Sequence, residues 1–533
     1  MVTQLVELCC LRSLRARSSV PFALLVLAGA CRCATVPARQ IQLEVLDETG
    51  APLPSRVHLK DARDQPVFPK GVLANSDHFV FSGRTTIELA DGTYHYEIER
   101  GPEYAPARGT LVVDTRASAL SARLTRIDEL AKKGWYSGDL HVHRRTEDMQ
   151  ALMRAEDLHV APTITWGNDR RDVTTVQPFA VFDGNRVADD SAGEDERFGG
   201  ALLYFGLSRP LELPPNLLEK GKIVHREGNP GDEVPSPLSL ALTARSELAT
   251  HVAIEKPFWW DTPTWIALGV ADSMGIAHNH MNRSVARNHE AWGRSCDRSL
   301  YGNSPLASAY CTQDIYYRVL DAGIRLAPSA GSASGVLPNP VGHNRVYVHL
   351  DGGFNYEKWW AGLKAGESFV TNGPLLLVQA NGRNPGYVFK STARGEPIAV
   401  DLSVLVESSL PIRSVELVRD GKVVAHANYD AKTGNAAFAR QEFTRSGWFL
   451  VRALCDTGDI FRFASSAPYY VEIGSEARRI SRAAVAYFSA WLEERVQRLR
   501  EKGEHSEALE PIIREHQAAQ QFYSDQLGKA NAD

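Results

Sequence analysis

The sequence predicts a multidomain protein that combines a mixed α/β unit with all-β modules and ends in a helical tail. Three observations lead there. The chain has 533 residues, too many for one ordinary core. Its apolar periodicity passes from strand alternation to a βα rhythm and back again. Its final segment then carries apolar residues at helical spacing. Hydrophobic residues make up 44% and charged residues 23%, as in soluble globular proteins.

Residues 1–30 read as an export signal. Arg12, Arg15 and Arg17 precede the apolar run Val20–Ala30, and Ala28, Gly29 and Ala30 stand before Cys31. That is the order of basic region, apolar core and small-residue cleavage site. The run is shorter than the roughly 20 residues a membrane span wants. Cys31 after Ala-Gly-Ala leaves a lipoprotein open, although Ala28 stands where such signals usually carry Leu. The expected location is periplasmic or extracellular, with membrane contact only through the signal or a lipid anchor. The net charge of −5 gives no general reason to expect a nucleic-acid partner. Cys296 and Cys311 leave a disulfide open in an oxidising compartment.

Residues 40–125 read as a β-sandwich. Ile41–Leu46 and Arg56–Lys60 alternate apolar and polar residues, and Thr85–Leu89, Tyr94–Ile98 and Thr110–Val113 follow between Gly and Pro. His58, His78 and His95 read there as ordinary strand or loop residues. From 130 to 375 the rhythm is βα, that of a barrel or a doubly wound sheet. Strands are predicted at Trp135–Val142, Leu158–Thr165, Ala201–Leu207, His251–Glu255, Ser273–His278, Ile324–Pro328 and Arg345–His349. Helices are predicted at Thr146–Asp157, Pro237–Glu247, Thr262–Leu268, Gln313–Ala322 and Tyr356–Leu363. Val181–Phe198, rich in Asp and Glu, reads as a loop. Residues 376–475 return to a β rhythm, with a hairpin turn at Arg419-Asp-Gly421. In 478–530, Val485, Phe488, Trp491, Leu492, Val496 and Leu499 recur at helix spacing, which predicts a helical hairpin that packs on the body or mediates self-association.

The chemistry concentrates in Gly138-Asp-Leu-His-Val-His143. Two His two apart on a strand point the same way and can grip one ion at the strand's end. Asp139 is available to orient an imidazole. Ile276-Ala-His278-Asn-His280 repeats the spacing after another apolar strand, and Asn282 and Arg283 follow. Glu255 ends the strand before Lys256-Pro-Phe-Trp-Trp-Asp261. A buried Glu is costly unless paired or metal-bound, so Glu255 is read as a ligand, against a salt bridge with Lys256. The predicted ligand set is His141, His143, Glu255, His278 and His280. Asn168, Asp169, His225, Asn282 and His343 are candidates to line the site. Glu156 and His159 are weaker, because His159 starts its strand.

These residues resemble the PHP-type metallohydrolases, in the branch named after the carbaryl hydrolases CehA and McbA. Gly138–His143 is similar to that family's first metal motif. Glu367-Ser-Phe-Val-Thr-Asn-Gly-Pro374 resembles its closing segment, and Gly323–Ser332 the approach to its last metal motif. The resemblance implies a distorted (β/α)7 barrel over 130–375 and a cluster of divalent ions, with His141 and His143 as the first ligands. Trp166-Gly167 stands where the family carries an Asp-His pair. Gly331-Ser-Ala-Ser-Gly335 lacks the Asp and His of its last motif. His278, His280 and Glu255 are expected to compensate.

The predicted function is metal-dependent hydrolysis of an ester, carbamate, amide or phosphoester in a small molecule or polymer. One or two ions of zinc, manganese or iron would activate water. Glu255 or Asp139 would assist, with Arg283 or Lys256 stabilising negative charge. The competing expectation is a non-catalytic exported protein that binds carbohydrate or protein through a degenerate site and the aromatic loop of Trp259, Trp260 and Trp265.

Overall fold

A computed structural model describes residues 38–533 apart from 118, 168–178, 212–217, 220–221, 224–232, 248–250, 393–395, 475–477 and 503–506. The predicted export signal and Cys31 lie outside the described residues, as do Asn168, Asp169 and His225.

The first strands form two sheets over one core. A five-stranded antiparallel sheet runs Leu73–Asn75, His78–Phe81, Ser55–Asp61, Gly92–Glu99, Ala107–Val113. A three-stranded sheet runs Arg84–Ala90, Ala38–Leu46, Ala119–Arg123. Alternation explains the packing. Ile41, Leu43 and Val45 of one sheet meet Val57, Leu59 and Ile98 of the other in a common apolar cluster.

The middle of the chain is a mixed α/β region built on one long sheet. Trp135–Gly138, Val160–Gly167, Arg186–Arg197, His251–Ile254, Ser273–Ala277 and Ala327–Ala330 all run parallel to one another. Gly200–Phe205 is inserted antiparallel between Arg186–Arg197 and His251–Ile254. Arg345–His349 pairs antiparallel with Trp135–Gly138. The sheet then continues through Ser368–Thr371, Phe463–Ser466, Gly447–Cys455 and Ile412–Arg419 to Lys422–His426. The strand order is an open path that begins at Ala327–Ala330, and no ladder among the described residues closes it into a barrel.

Two departures from the predicted elements bear on the site. The strand predicted to reach Val142 loses regular pairing after Gly138. The next residues are held singly instead: Leu140 donates to the Ala330 carbonyl at 3.0 Å and His143 to that of Ser334 at 2.8 Å. The predicted loop 181–198 is instead a hairpin of Ala180–Phe182 and the long strand Arg186–Arg197. Its acidic side chains are mostly inside. Asp189 accepts from the Tyr356 hydroxyl at 2.5 Å, and Asp195 binds Arg197 at 2.6 Å. A partnered carboxylate can be buried, so polarity alone misassigns the segment.

The tail forms two helices, Arg482–Lys502 and Glu510–Gly528. The six apolar residues that predicted it are all buried. The pair packs on the body: Tyr523 donates to the Pro263 carbonyl at 2.9 Å, and Arg495 binds Asp261 at 2.7 Å and Glu233 at 3.0 Å. Arg498 lies over the Trp260 ring. Trp259, Trp260 and Trp265 are correspondingly buried, so the aromatic loop anchors the tail and does not display rings to a ligand. Cys296 and Cys311 form a disulfide that ties the loop after Asn282 to the helix Ala307–Asp321.

Candidate metal centre

His141 and His143 project from the irregular segment that follows Gly138, with their Nε2 atoms 3.0 Å apart. Glu194 of the strand Arg186–Arg197 closes the group. Its Oε1 lies 3.3 Å from His141 Nε2 and its Oε2 3.3 Å from His143 Nε2. The three ligand atoms fall within 4.8 Å of one another, in a setting where His141 and Glu194 are buried. Glycines make the approach possible. A Cβ on Gly167, whose φ is +107°, would meet the Glu194 carbonyl oxygen at 1.7 Å, and one on Gly193 would meet the Trp166 ring at 2.1 Å. Trp166-Gly167 therefore bears no ligand but lets the strand carrying Glu194 lie against it. The loop Gly331–Gly335 packs over the pair in the same way: a Cβ on Gly331 would meet His141 Cβ at 2.4 Å.

Glu255 contacts the other side of His141. Its Oε1 is 3.3 Å from His141 Nδ1, while Oε2 accepts from Lys256 Nζ and, at 3.1 Å, from Trp259 Nε1. Both sequence alternatives for Glu255 thus meet in part. It pairs with Lys256, and it reaches the imidazole that faces Glu194 through the opposite nitrogen. It stands behind His141, outside the group His141, His143 and Glu194. Lys256 is buried over the Trp259 ring and tied to Glu255, so it holds this carboxylate in place.

Burial pushes the His141 imidazolium toward deprotonation, but Glu194 and Glu255 outweigh it and raise its pKa to about 10. Burial works against the Glu194 carboxylate, yet His141 and His143 hold it well below the usual range. Glu255 is likewise held at about 2, by Lys256 and His141 against burial. Glu196, two residues along the same strand face, is pushed up to about 8 by burial and the Glu194 charge. The charged carboxylates Glu194 and Glu255 are thus balanced by His141 and Lys256 while Glu196 keeps its proton, and a divalent cation between His141, His143 and Glu194 would take the place of the His141 proton.

Asp139 does not orient an imidazole. Its carboxylate accepts the backbone N–H groups of His141 at 3.1 Å, Ser332 at 2.9 Å and Gly342 at 2.6 Å, fixing the ligand segment to the two loops above it. His278 and His280 stand outside the His141 group. His278 Nε2 pairs with the Thr312 hydroxyl at 2.9 Å and Nδ1 accepts the His280 N–H at 3.3 Å, so both ring nitrogens are engaged. His280 Nδ1 donates to the His289 carbonyl at 2.9 Å. Asn282 is buried nearby. Arg283 binds Glu97 and, at 3.0 Å, Glu99, which directs it to the first β region, away from an anion at the His141 centre. His343 stacks its ring nitrogens against Arg462 at 3.0 and 3.1 Å. Glu156 binds Arg56, and His159 pairs with the Ser137 hydroxyl at 3.1 Å.

A second buried group, His58, Asp77 and His78, also has metal-compatible spacing, where the sequence suggested only ordinary strand and loop residues. Sequence reasoning missed Glu194 as well. Its one signal was the alternation of Glu194 and Glu196 along a strand that the acid-rich composition disguised. No family model matches the chain, and no curated protein or solved structure matches it either. The resemblance to PHP-type metallohydrolases therefore rests on the motif residues themselves.

Proposed function

We propose that the chain is a divergent, exported PHP-type metallohydrolase whose centre is His141, His143 and Glu194. The observation that carries this is the convergence of two imidazole Nε2 atoms and a carboxylate at 3.0–3.3 Å. Ligands about 2.0–2.2 Å from one ion are separated by about that much. The nitrogen and oxygen donors suit zinc, manganese or iron. A divalent cation held there would supply Lewis acidity and activate water as a nucleophile at neutral pH.

The chain's own residues do the rest. Glu255 holds the His141 ring in orientation from behind, as carboxylates behind ligating imidazoles do. Lys256 and Trp259 keep Glu255 from rotating. Asp139 fixes the backbone that presents both imidazoles. Glu196 holds a proton near neutral pH and is the group proposed to pass it to a leaving atom. The substrate class remains an ester, carbamate, amide or phosphoester, and the barrel implied by the resemblance is part of the same proposal. The Cys296–Cys311 disulfide supports an oxidising, exported location. Burial of the three Trp residues removes the aromatic loop as the ligand surface of a carbohydrate- or protein-binding alternative.

The test is metal content and hydrolysis together. Purified protein should retain about one equivalent of a transition metal or more at this centre. It should also hydrolyse members of an ester, carbamate and phosphoester panel in a chelator-sensitive way. Protein that binds no metal tightly and whose panel activity ignores chelation would refute the reading.

A further inference from the structure

We infer that His58, Asp77 and His78 form a separate, structural divalent-cation site in the first β region. The strands Ser55–Asp61 and His78–Phe81 pair antiparallel with Val57 opposite Phe79. The next pair in that register is His58 opposite His78, so both rings share one face and lie 5.3 Å apart. Asp77 bridges them. Its Oδ2 lies 3.4 Å from His58 Nδ1 and its Oδ1 3.0 Å from His78 Nδ1. Three donors at these separations fit one ion about 2.0–2.2 Å from each. Both imidazoles are buried, while the Asp77 side chain keeps 31% of its exposure. The ion would therefore enter from the Asp77 side, and water would complete its shell.

An outer acceptor is also in place. As the side chains stand, Arg56 Nε donates to His58 Nε2 at 3.1 Å, which leaves the His58 proton on Nδ1, toward Asp77. An ion on Nδ1 requires the other tautomer, with the proton on Nε2. Glu99 Oε2, 3.5 Å from that nitrogen, is its acceptor, the arrangement that orients ligating imidazoles. Arg56 keeps its two carboxylate partners, Glu99 and Glu156. Glu99 also binds Arg283, a few residues after His280. The ion would thus brace the first β region against the loop that follows Ser273–Ala277. It has no part in the proposed hydrolysis, and the inference does not depend on that reading.

Zinc retained after equilibrium dialysis and desalting tests this in the full chain, with Asp77→Asn and Glu194→Gln as variants. Wild type should retain about two equivalents and each variant about one. Zinc should raise the Tm of wild type and Glu194→Gln through the Asp77 site, and that part of the rise should vanish in Asp77→Asn. Asp77→Asn retaining as much zinc as wild type would overturn the inference and leave the His141 centre untouched. One equivalent lost in Asp77→Asn with none lost in Glu194→Gln would support it and show that zinc binding elsewhere does not depend on Glu194. Should Asp77→Asn fold poorly, zinc-edge anomalous scattering from wild-type crystals decides: a peak between His58 and His78 supports the site, and its absence overturns it.

Discussion

The chain carries two His-x-His pairs, each just beyond a buried parallel strand, and they come to different ends. His141 and His143 turn both Nε2 atoms toward Glu194. His278 has one ring nitrogen on the Thr312 hydroxyl and the other on a backbone N–H, and His280 donates to a carbonyl. Identical spacing gives identical side-chain direction, but direction does not decide use. The first pair meets Glu194, and His141 also Glu255: carboxylates that hold its proton and that would share a cation with the imidazoles in place of it. The second pair meets a hydroxyl and backbone groups that engage both ring nitrogens of His278 and Nδ1 of His280. A buried, satisfied imidazole stays neutral: burial and the nearby Lys256 cation lower His278 to about 3, whereas Glu194 and Glu255, overcoming burial, lift His141 to about 10.

The comparison breaks most sharply at Glu194. Glu194→Gln keeps the shape but removes the charge that distinguishes the first pair from the second. Metal affinity at that centre should fall by more than the roughly 10–100-fold that losing an outer partner costs, with hydrolysis falling in step. Competition with a chelator of known affinity measures it, and an unchanged affinity would show that His141 and His143 bind without this carboxylate. Glu255→Gln asks the next question. If Glu255 orients His141 from behind, affinity should fall by roughly 10–100-fold while the stoichiometry holds. Loss of the equivalent outright would make Glu255 a ligand.

Much of the fold was legible in the sequence. His251–Ile254, Ser273–Ala277, Arg345–His349 and the helix Pro237–Glu247 fall within a residue of their predicted ends, because apolar runs between polar turns identify buried strands and helices. The paired imidazoles were legible for the same local reason, two residues on one strand. Partners from distant strands were not. Glu194 lies in a run of carboxylates that composition assigns to solvent, and only its contacts with His141 and His143 account for its burial. Gly167 reads as a lost ligand, yet its positive φ and missing Cβ are what admit the Glu194 strand. His58 and His78 meet across a register that no local pattern reveals. Asp139 was expected to orient an imidazole, but two of its three backbone donors, Ser332 and Gly342, come from about two hundred residues away in sequence, so its role as an anchor could not be read.

The smallest expected effect lies at His278, and it separates stability from metal binding. His278→Gln should leave the stoichiometry at the His141 centre unchanged. It should cost about 1–3 kcal/mol of stability, the range for leaving a buried partner such as the Thr312 hydroxyl unsatisfied. The pH dependence carries the sign. Folded His278 resists protonation down to about 3, while the unfolded side chain takes up a proton near 6.5. Its contribution to stability is thus present above pH 6.5 and is lost as pH falls toward 3. The variant lacks that titration, so its urea midpoint should decline less steeply than wild type between pH 6.5 and 4. Metal lost together with stability would place His278 in the centre after all, and the two pairs would then differ in partner but not in purpose.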